Sequence, residues 1–260
     1  KTREILLQYF DIVAIAEFGS GTFGKTGTNT VTLFMRRKQT APDTAEHYRE
    51  RVAEWFTGCA NNKRKQVIYK DSHLISQYAA HIGVAAVDYQ TLLSGQPNDA
   101  LLAHETFAQY RNTFEASPAI VNLKQQRGFK AKLQVERETE LAMRFLVFAQ
   151  AIERDKLYYF VMAADQPNPV LIIRSPSDTN AQKQFLGYNW SSAKGGEGIK
   201  LIKDANGHHL TPLYDETDRN NTAKLNRYVM DNFDGTLAAI PPNLSDYTGT
   251  AKLVDMLDFS

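Results

Sequence analysis

Cysteine is nearly absent from this chain. The single residue, Cys59, excludes an intrachain disulfide framework and a four-thiolate zinc site. It suits the reducing interior of a cell. A surplus of one charge is also missing, since 30 basic side chains stand against 29 acidic ones for a formal +1 at neutral pH. A stand-alone nucleic-acid clamp carries a larger basic excess, so any such contact must come from local patches. No apolar run reaches membrane length and no signal-peptide arrangement opens the chain; the expected setting is cytoplasmic. There is no initiating methionine, and the amphipathic LLQYF stands directly ahead of a strand-like run, which suggests a piece cut from a larger protein. The 260 residues suffice for one large core or two small ones.

What the chain does have is a glycine-rich stretch at residues 12–38, IVAIAEFGSGTFGKTGTNTVTLFMRRK. Three chemistries fit its text. Gly19, Gly24, Lys25 and Thr26 satisfy the phosphate-loop spacing, with Ile12 to Phe18 as the preceding strand. A phosphate loop needs a helix to begin at the Lys-Thr pair, where the N-terminal dipole favours phosphate. Here Gly27, Thr28, Asn29, Thr30, Val31 and Thr32 follow, and all are poor helix formers. The segment Glu17-Phe18-Gly19-Ser20-Gly21 also suggests an S-adenosylmethionine turn, but that turn too should open a helix. The third possibility is a β-hairpin with strands near 12–18 and 29–37 and a long glycine-rich tip, which agrees with the propensities on both sides. Helix or hairpin over residues 19–33 discriminates among the three.

Along the rest of the chain, residues 3–10 end a helix that feeds the first strand. AEHYRERVAEWFTGCA is an amphipathic helix with Tyr48, Val52, Trp55 and Phe56 toward a core. Lys63, Arg64 and Lys65 form a basic turn, either a solvated surface or a nucleic-acid contact. Residues 71–81 and 98–116 read as helices, the second with Leu101, Leu102, Phe107, Tyr110 and Phe114 inward and Pro118 as its stop. A long helical pattern runs from Lys130 to Lys156, with Leu133, Leu141, Phe145, Phe148 and Ile152 on its apolar side. LYYFVMAAD and VLIIRS, joined by QPNP, predict a second β-hairpin. Asp165 is a turn residue there rather than a magnesium ligand. His208 and His209 point to opposite faces in an extended chain and chelate poorly, even with Asp215 and Glu216 nearby. TAKLNRYVMDNFDG is expected as a short helix ending near Gly235.

Two segments resemble N6-adenine DNA methyltransferases, in particular the modification subunits of type I restriction systems. Ser20, Gly21 and Phe23 match the first half of that family's late catalytic-domain hairpin, and Thr26, Gly27, Thr30, Leu33, Phe34 and Arg37 match the second. Gly19 departs from the pattern, which usually has proline there. Further on, Lys183, Phe185, Leu186, Gly187, Tyr188, Trp190, Ser191, Lys194, Gly195, Glu197, Gly198 and Ile199 match the family's K-F-L-G-Y-x-W-S-x-x-K-G-x-E-G-I element.

The resemblance implies an α/β fragment: the terminal hairpin of a Rossmann-like methyltransferase sheet at 1–40, a mainly helical accessory region at 41–180, and a family-specific region at 181–260. The hairpin's own sheet is then expected outside this chain, with the two strands at an edge or packed on something other than their native neighbours, and open to artificial self-association. The resemblance also implies a bacterial cytoplasmic enzyme that methylates a flipped adenine from S-adenosylmethionine. Its expected partners are double-stranded DNA and specificity and restriction subunits. Phe23 corresponds to the aromatic that stacks on the flipped base. Lys25, Arg36, Arg37 and Lys38 are the candidate phosphate contacts. Tyr188, Trp190 and Lys194 are candidate DNA contacts, the two aromatics serving equally well as a packed joint. The family's D/N-P-P-Y/F motif occurs nowhere in the chain, and Pro241-Pro242-Asn243 has the wrong order. The isolated chain is therefore expected neither to hold the cofactor nor to methylate DNA.

Overall fold

The computed structural model is mixed α/β and describes residues 1–20, 22, 27–56, 71–166, 169–191, 198–207, 210, 211, 213 and 246–257. Cys59, the basic turn at Lys63, Arg64 and Lys65, the helix expected over TAKLNRYVMDNFDG, His208, His209, Asp215, Glu216 and Pro241-Pro242-Asn243 lie outside these residues. Among the described residues no helix is long and apolar enough to cross a membrane. The chain divides into two units, Lys1–Ala41 with Gln166–Met256 and a second built on Pro42–Asp165.

The first unit opens with helix α1 (Thr2–Tyr9), which buries Leu7 and runs straight into strand β1 (Phe10–Gly19). β1 turns back into β2 (Thr30–Arg37), pairing antiparallel from Phe10 opposite Arg37 to Gly19 opposite Thr30. The β-branched run that disfavoured a helix after Thr26 is thus a strand, and no phosphate-loop helix occupies residues 30–37. β1 pairs on its other side, in parallel, with β3 (Val170–Arg174), and β3 pairs antiparallel with β6 (Thr248–Ala251). The sheet order is β2-β1-β3-β6.

Two sequence expectations are corrected here. β2 lies at an edge, but β1 does not: its parallel neighbour is supplied by this same chain, and a parallel pair requires a long crossover, here all of residues 42–165. The second β-hairpin does not form from LYYFVMAAD and VLIIRS, because residues 157–164 are helical.

The core of this sheet shows why β3 reads as a continuous apolar run. Val170, Leu171, Ile172 and Ile173 are all buried, as expected for a strand covered on both faces. On one face Ala14 and Ala16 of β1, with Leu171 and Ile173, pack against Phe185 and Leu186 of helix α10 (Thr179–Leu186). The two alanines leave room for Phe185, whose full burial contributes roughly 2–3 kcal/mol. Near the start of β1, where β3 has not yet begun, the Gln166 side-chain amide substitutes for a strand: it accepts from Ile12 N–H and donates to Ile12 C=O, both at 2.8 Å.

The second unit is helical: α2 (Ala45–Ala53), α3 (Ser72–His81), α4 (Ala86–Leu93), α5 (Asp99–Leu102), α6 (Glu105–Ala116), α7 (Pro118–Gln125), α8 (Arg127–Lys130) and α9 (Gln134–Ala164). Pro118 ends α6 as expected and also occupies the first position of α7, where its missing N–H costs nothing. The 31-residue α9 is the axis on which α2, α3, α4 and α6 pack. Its last two turns bury Leu157, Tyr158, Phe160, Val161 and Met162. A helix covered on most sides loses its 3.6-residue polar alternation, which is why this segment resembles a buried strand in sequence. Leu133, expected in the core, is instead the residue ahead of α9 and is 72% exposed.

Two buried polar centres specify this unit. Glu153 is fully buried and accepts hydrogen bonds from the hydroxyls of Tyr89 (2.7 Å) and Tyr110 (2.5 Å). Burial first, and then the neighbouring Glu153, push the hydroxyls of Tyr78, Tyr89 and Tyr110 above the usual phenol range. Arg51 donates to Asp71 (2.7 Å) and, through two nitrogens, to Asp165 (2.5 and 3.1 Å). Asp165 is therefore an ion-pair partner, and among the described residues no acidic, histidine or cysteine cluster is arranged to hold a metal.

Candidate functional site

β1 ends at Gly19 with φ +69°, a left-handed turn that releases the chain into the hairpin tip. An added Cβ there would collide with Nε2 of Gln182. Proline, with φ fixed near −65°, cannot take this conformation either. Gln182 is 8% exposed, and its Nε2 donates to Phe18 C=O and to Ser175 Oγ, both at 3.2 Å. Ser175 N–H donates to Glu17 C=O at 2.8 Å, continuing the parallel ladder one step beyond β3. The close approach of α10 thus ties the end of β1 to the residues that follow β3.

Thr22 is the fixed point of the tip. Its hydroxyl lies 3.4 Å from the carbonyls of both Phe18 and Gly19, and Thr30 Oγ1 donates to it at 3.0 Å, linking the two ends of the loop. The Thr22 carbonyl accepts from Tyr188 Oη at 3.0 Å and from Trp190 Nε1 at 3.2 Å, which uses both of its lone pairs.

Local sequence explains how those two aromatics arrive. Asp178 caps α10 by accepting from Asn180 N–H (3.0 Å) and Ala181 N–H (2.8 Å). Gly187 ends the helix at φ +74°. Strand β4 (Tyr188–Ser191) begins at once and pairs antiparallel with β5 (Gly198–Leu201). The period of two in a strand puts Tyr188 and Trp190 on one face, so both reach one acceptor.

The structure therefore brings together Tyr188, Trp190 and the residue immediately before Phe23. Phe23, Lys25 and Lys194 themselves lie outside the described residues. Arg36, Arg37 and Lys38 are not part of this grouping. They stand at the base of the hairpin, six or more residues from Thr30 and so roughly 20 Å along β2. There Arg36 faces Asp11 at 3.9 Å, Arg37 is exposed, and Lys38 Nζ donates to Leu7 C=O at 3.3 Å.

Some contributors escaped sequence inspection. Thr22 and Gln182 carry no local signal. Asp178 and Gly187 do: an Asp ahead of, and a Gly behind, an eight-residue amphipathic segment mark a capped helix and an abrupt turn. No protein-family model, curated protein or solved structure matches this chain.

Proposed function

We propose that the hairpin tip presents Phe23 to an adenine extruded from duplex DNA, as part of an N6-adenine DNA methyltransferase of a bacterial restriction-modification system acting in the cytoplasm. What carries the proposal is the shared acceptor. The two segments that resemble this family lie far apart in sequence, yet Tyr188 and Trp190 of one bond to Thr22 C=O in the other. The N6 amino group of adenine is engaged in base pairing, so the base must leave the stack before reaction. An aromatic that meets it has to be held by a loop with a defined starting point, and Thr22 supplies that point.

The described residues do not fit S-adenosylmethionine. The bend at Gly19 passes into a hairpin rather than opening a helix, and the motif that holds the adenine amino group is missing from the sequence. In this proposal the methyl donor and the D/N-P-P-Y/F chemistry belong to other residues of the enzyme, and specificity and restriction subunits are its protein partners. The parallel β1–β3 pair flanked by antiparallel edges supports the finer identity of the sheet as the end of a Rossmann-like one.

The test compares binding of this chain to a fully paired duplex and to one carrying 2-aminopurine opposite an abasic site, each at two salt concentrations. One stacked base contributes about 1–3 kcal/mol, so a preference of roughly five- to a hundredfold for the unpaired base is expected. Phe23→Ala removes that preference, while the salt dependence stays. Absent or salt-independent binding, or an undiminished preference in Phe23→Ala, overturns the proposal. Methyl transfer by the 260-residue chain alone would overturn the assignment of the chemistry to other residues.

A further inference from the structure

The β4–β5 ribbon has two unlike faces. Directly opposed residues of an antiparallel pair share a face, so Ile199 opposite Trp190 and Leu201 opposite Tyr188 lie on the side that reaches the hairpin tip. Both aliphatic chains nevertheless remain uncovered, Ile199 at 55% and Leu201 at 43% exposure. The other face carries Lys200 opposite Asn189, and exposed Lys203 follows just beyond the strand. Neither lysine forms an ion pair among the described residues. An open apolar surface beside two anchored aromatics, with two exposed lysines that form no ion pair among the described residues, is the composition that binds unstacked bases and their phosphates.

Resting on the assignment of the tip as base-facing, we infer that the ribbon is a second DNA-contacting element. Ile199 and Leu201 lie against the bases left unstacked when the adenine departs, and Lys200 and Lys203 neutralise adjoining phosphates. A two-stranded ribbon is narrow enough to enter the major groove, so both of its faces meet DNA at once. A protein surface would explain the exposed Ile199 and Leu201 equally well, but two exposed lysines on the same ribbon favour a polyanion.

The experiment uses the whole chain and the same two duplexes. Lys200→Gln with Lys203→Gln is expected to lower the slope of log affinity against log salt by about 2, near 0.9 for each phosphate no longer neutralised. Ile199→Ala with Leu201→Ala should keep that slope but weaken binding to the unpaired-base duplex by about tenfold. Trp190 emission in a Trp55→Phe background checks that the ribbon remains folded. If the aliphatic pair unfolds it, the exposed lysine pair decides alone. An unchanged slope in the lysine pair overturns the inference, as does DNA binding untouched by both pairs, the result expected of a protein-binding surface. If Phe23→Ala still abolishes the base preference in that case, the tip assignment stands and only the ribbon falls. If the unmodified chain binds no DNA, both fall.

Discussion

Replacing Gly19 with alanine tests the geometry of the tip most directly. The perturbation has two separable costs. Holding a non-glycine residue at φ +69° costs about 1–2 kcal/mol in any surroundings. The new Cβ would also collide with Gln182 Nε2, so the amide must leave, abandoning Phe18 C=O and Ser175 Oγ. Two such bonds contribute about 1 kcal/mol each. Gly19→Ala should therefore destabilise the first unit by roughly 3–4 kcal/mol. In a Gln182→Ala background the clash is already gone, and only the backbone cost of about 1–2 kcal/mol remains. The pair should thus couple by about 2 kcal/mol, well above the few tenths expected of independent sites. The chain has two tryptophans, Trp55 in the helical unit and Trp190 in the sheet unit. Urea unfolding followed by Trp190 emission in a Trp55→Phe background reports the relevant unit. Additive costs, or a neutral Gly19→Ala, would refute the placement of α10 against the end of β1.

The helical unit yields two further predictions, with Trp55 as reporter in a Trp190→Phe background. Glu153→Ala strands the hydroxyls of Tyr89 and Tyr110 in the core and should cost about 3–5 kcal/mol, whereas Glu153→Gln keeps an acceptor oxygen and costs less; equal losses in urea unfolding would contradict the hydrogen-bonded arrangement. Tyr48 is pushed up to about 12, first by burial and then by Asp165 and Asp43. Because the folded state favours the neutral phenol, its contribution is complete below pH of about 10 and is lost as pH rises through about 12. Unfolding free energy should fall over that interval, less steeply in Tyr48→Phe, and absorbance at the phenolate band should resolve tyrosines that ionise late; uniform ionisation near pH 10 would count against the burial.

The legible parts of the fold were those where one face is wet. α6 alternates inward Phe107, Tyr110 and Phe114 with exposed polar residues, and β2 lies at an edge with its residues exposed or half-buried. The segment that misled, residues 157–164, is covered on most sides, and aromatic and β-branched residues in a covered helix look like those of a covered strand. The parallel pairing of β1 with β3 was illegible for another reason. Its two strands are separated by a complete helical unit, and nothing local in VLIIR specifies which distant strand it will join. The capped helix α10 was readable from Asp178 and Gly187, but its destination against Gly19 was not.

The same distinction governs the glycine-rich stretch. Its spacing matches a phosphate loop because glycines at the end of a strand serve any chemistry that brings the backbone close to something else. What separates the possibilities is what the chain does next. The register, with Gly19 opposite Thr30, brings the chain back as strand β2 rather than as a helix at Thr30. The connection between the two strands loses conformational entropy when Thr22 within it is fixed. Here that fixing comes from Thr30 across the neck and from Tyr188 and Trp190 of a distant segment. A shorter tip would close as a tight turn without them. Two aromatic donors on one carbonyl therefore fix Thr22, the residue immediately ahead of Phe23, and the base-stacking role proposed for Phe23 requires such an anchor.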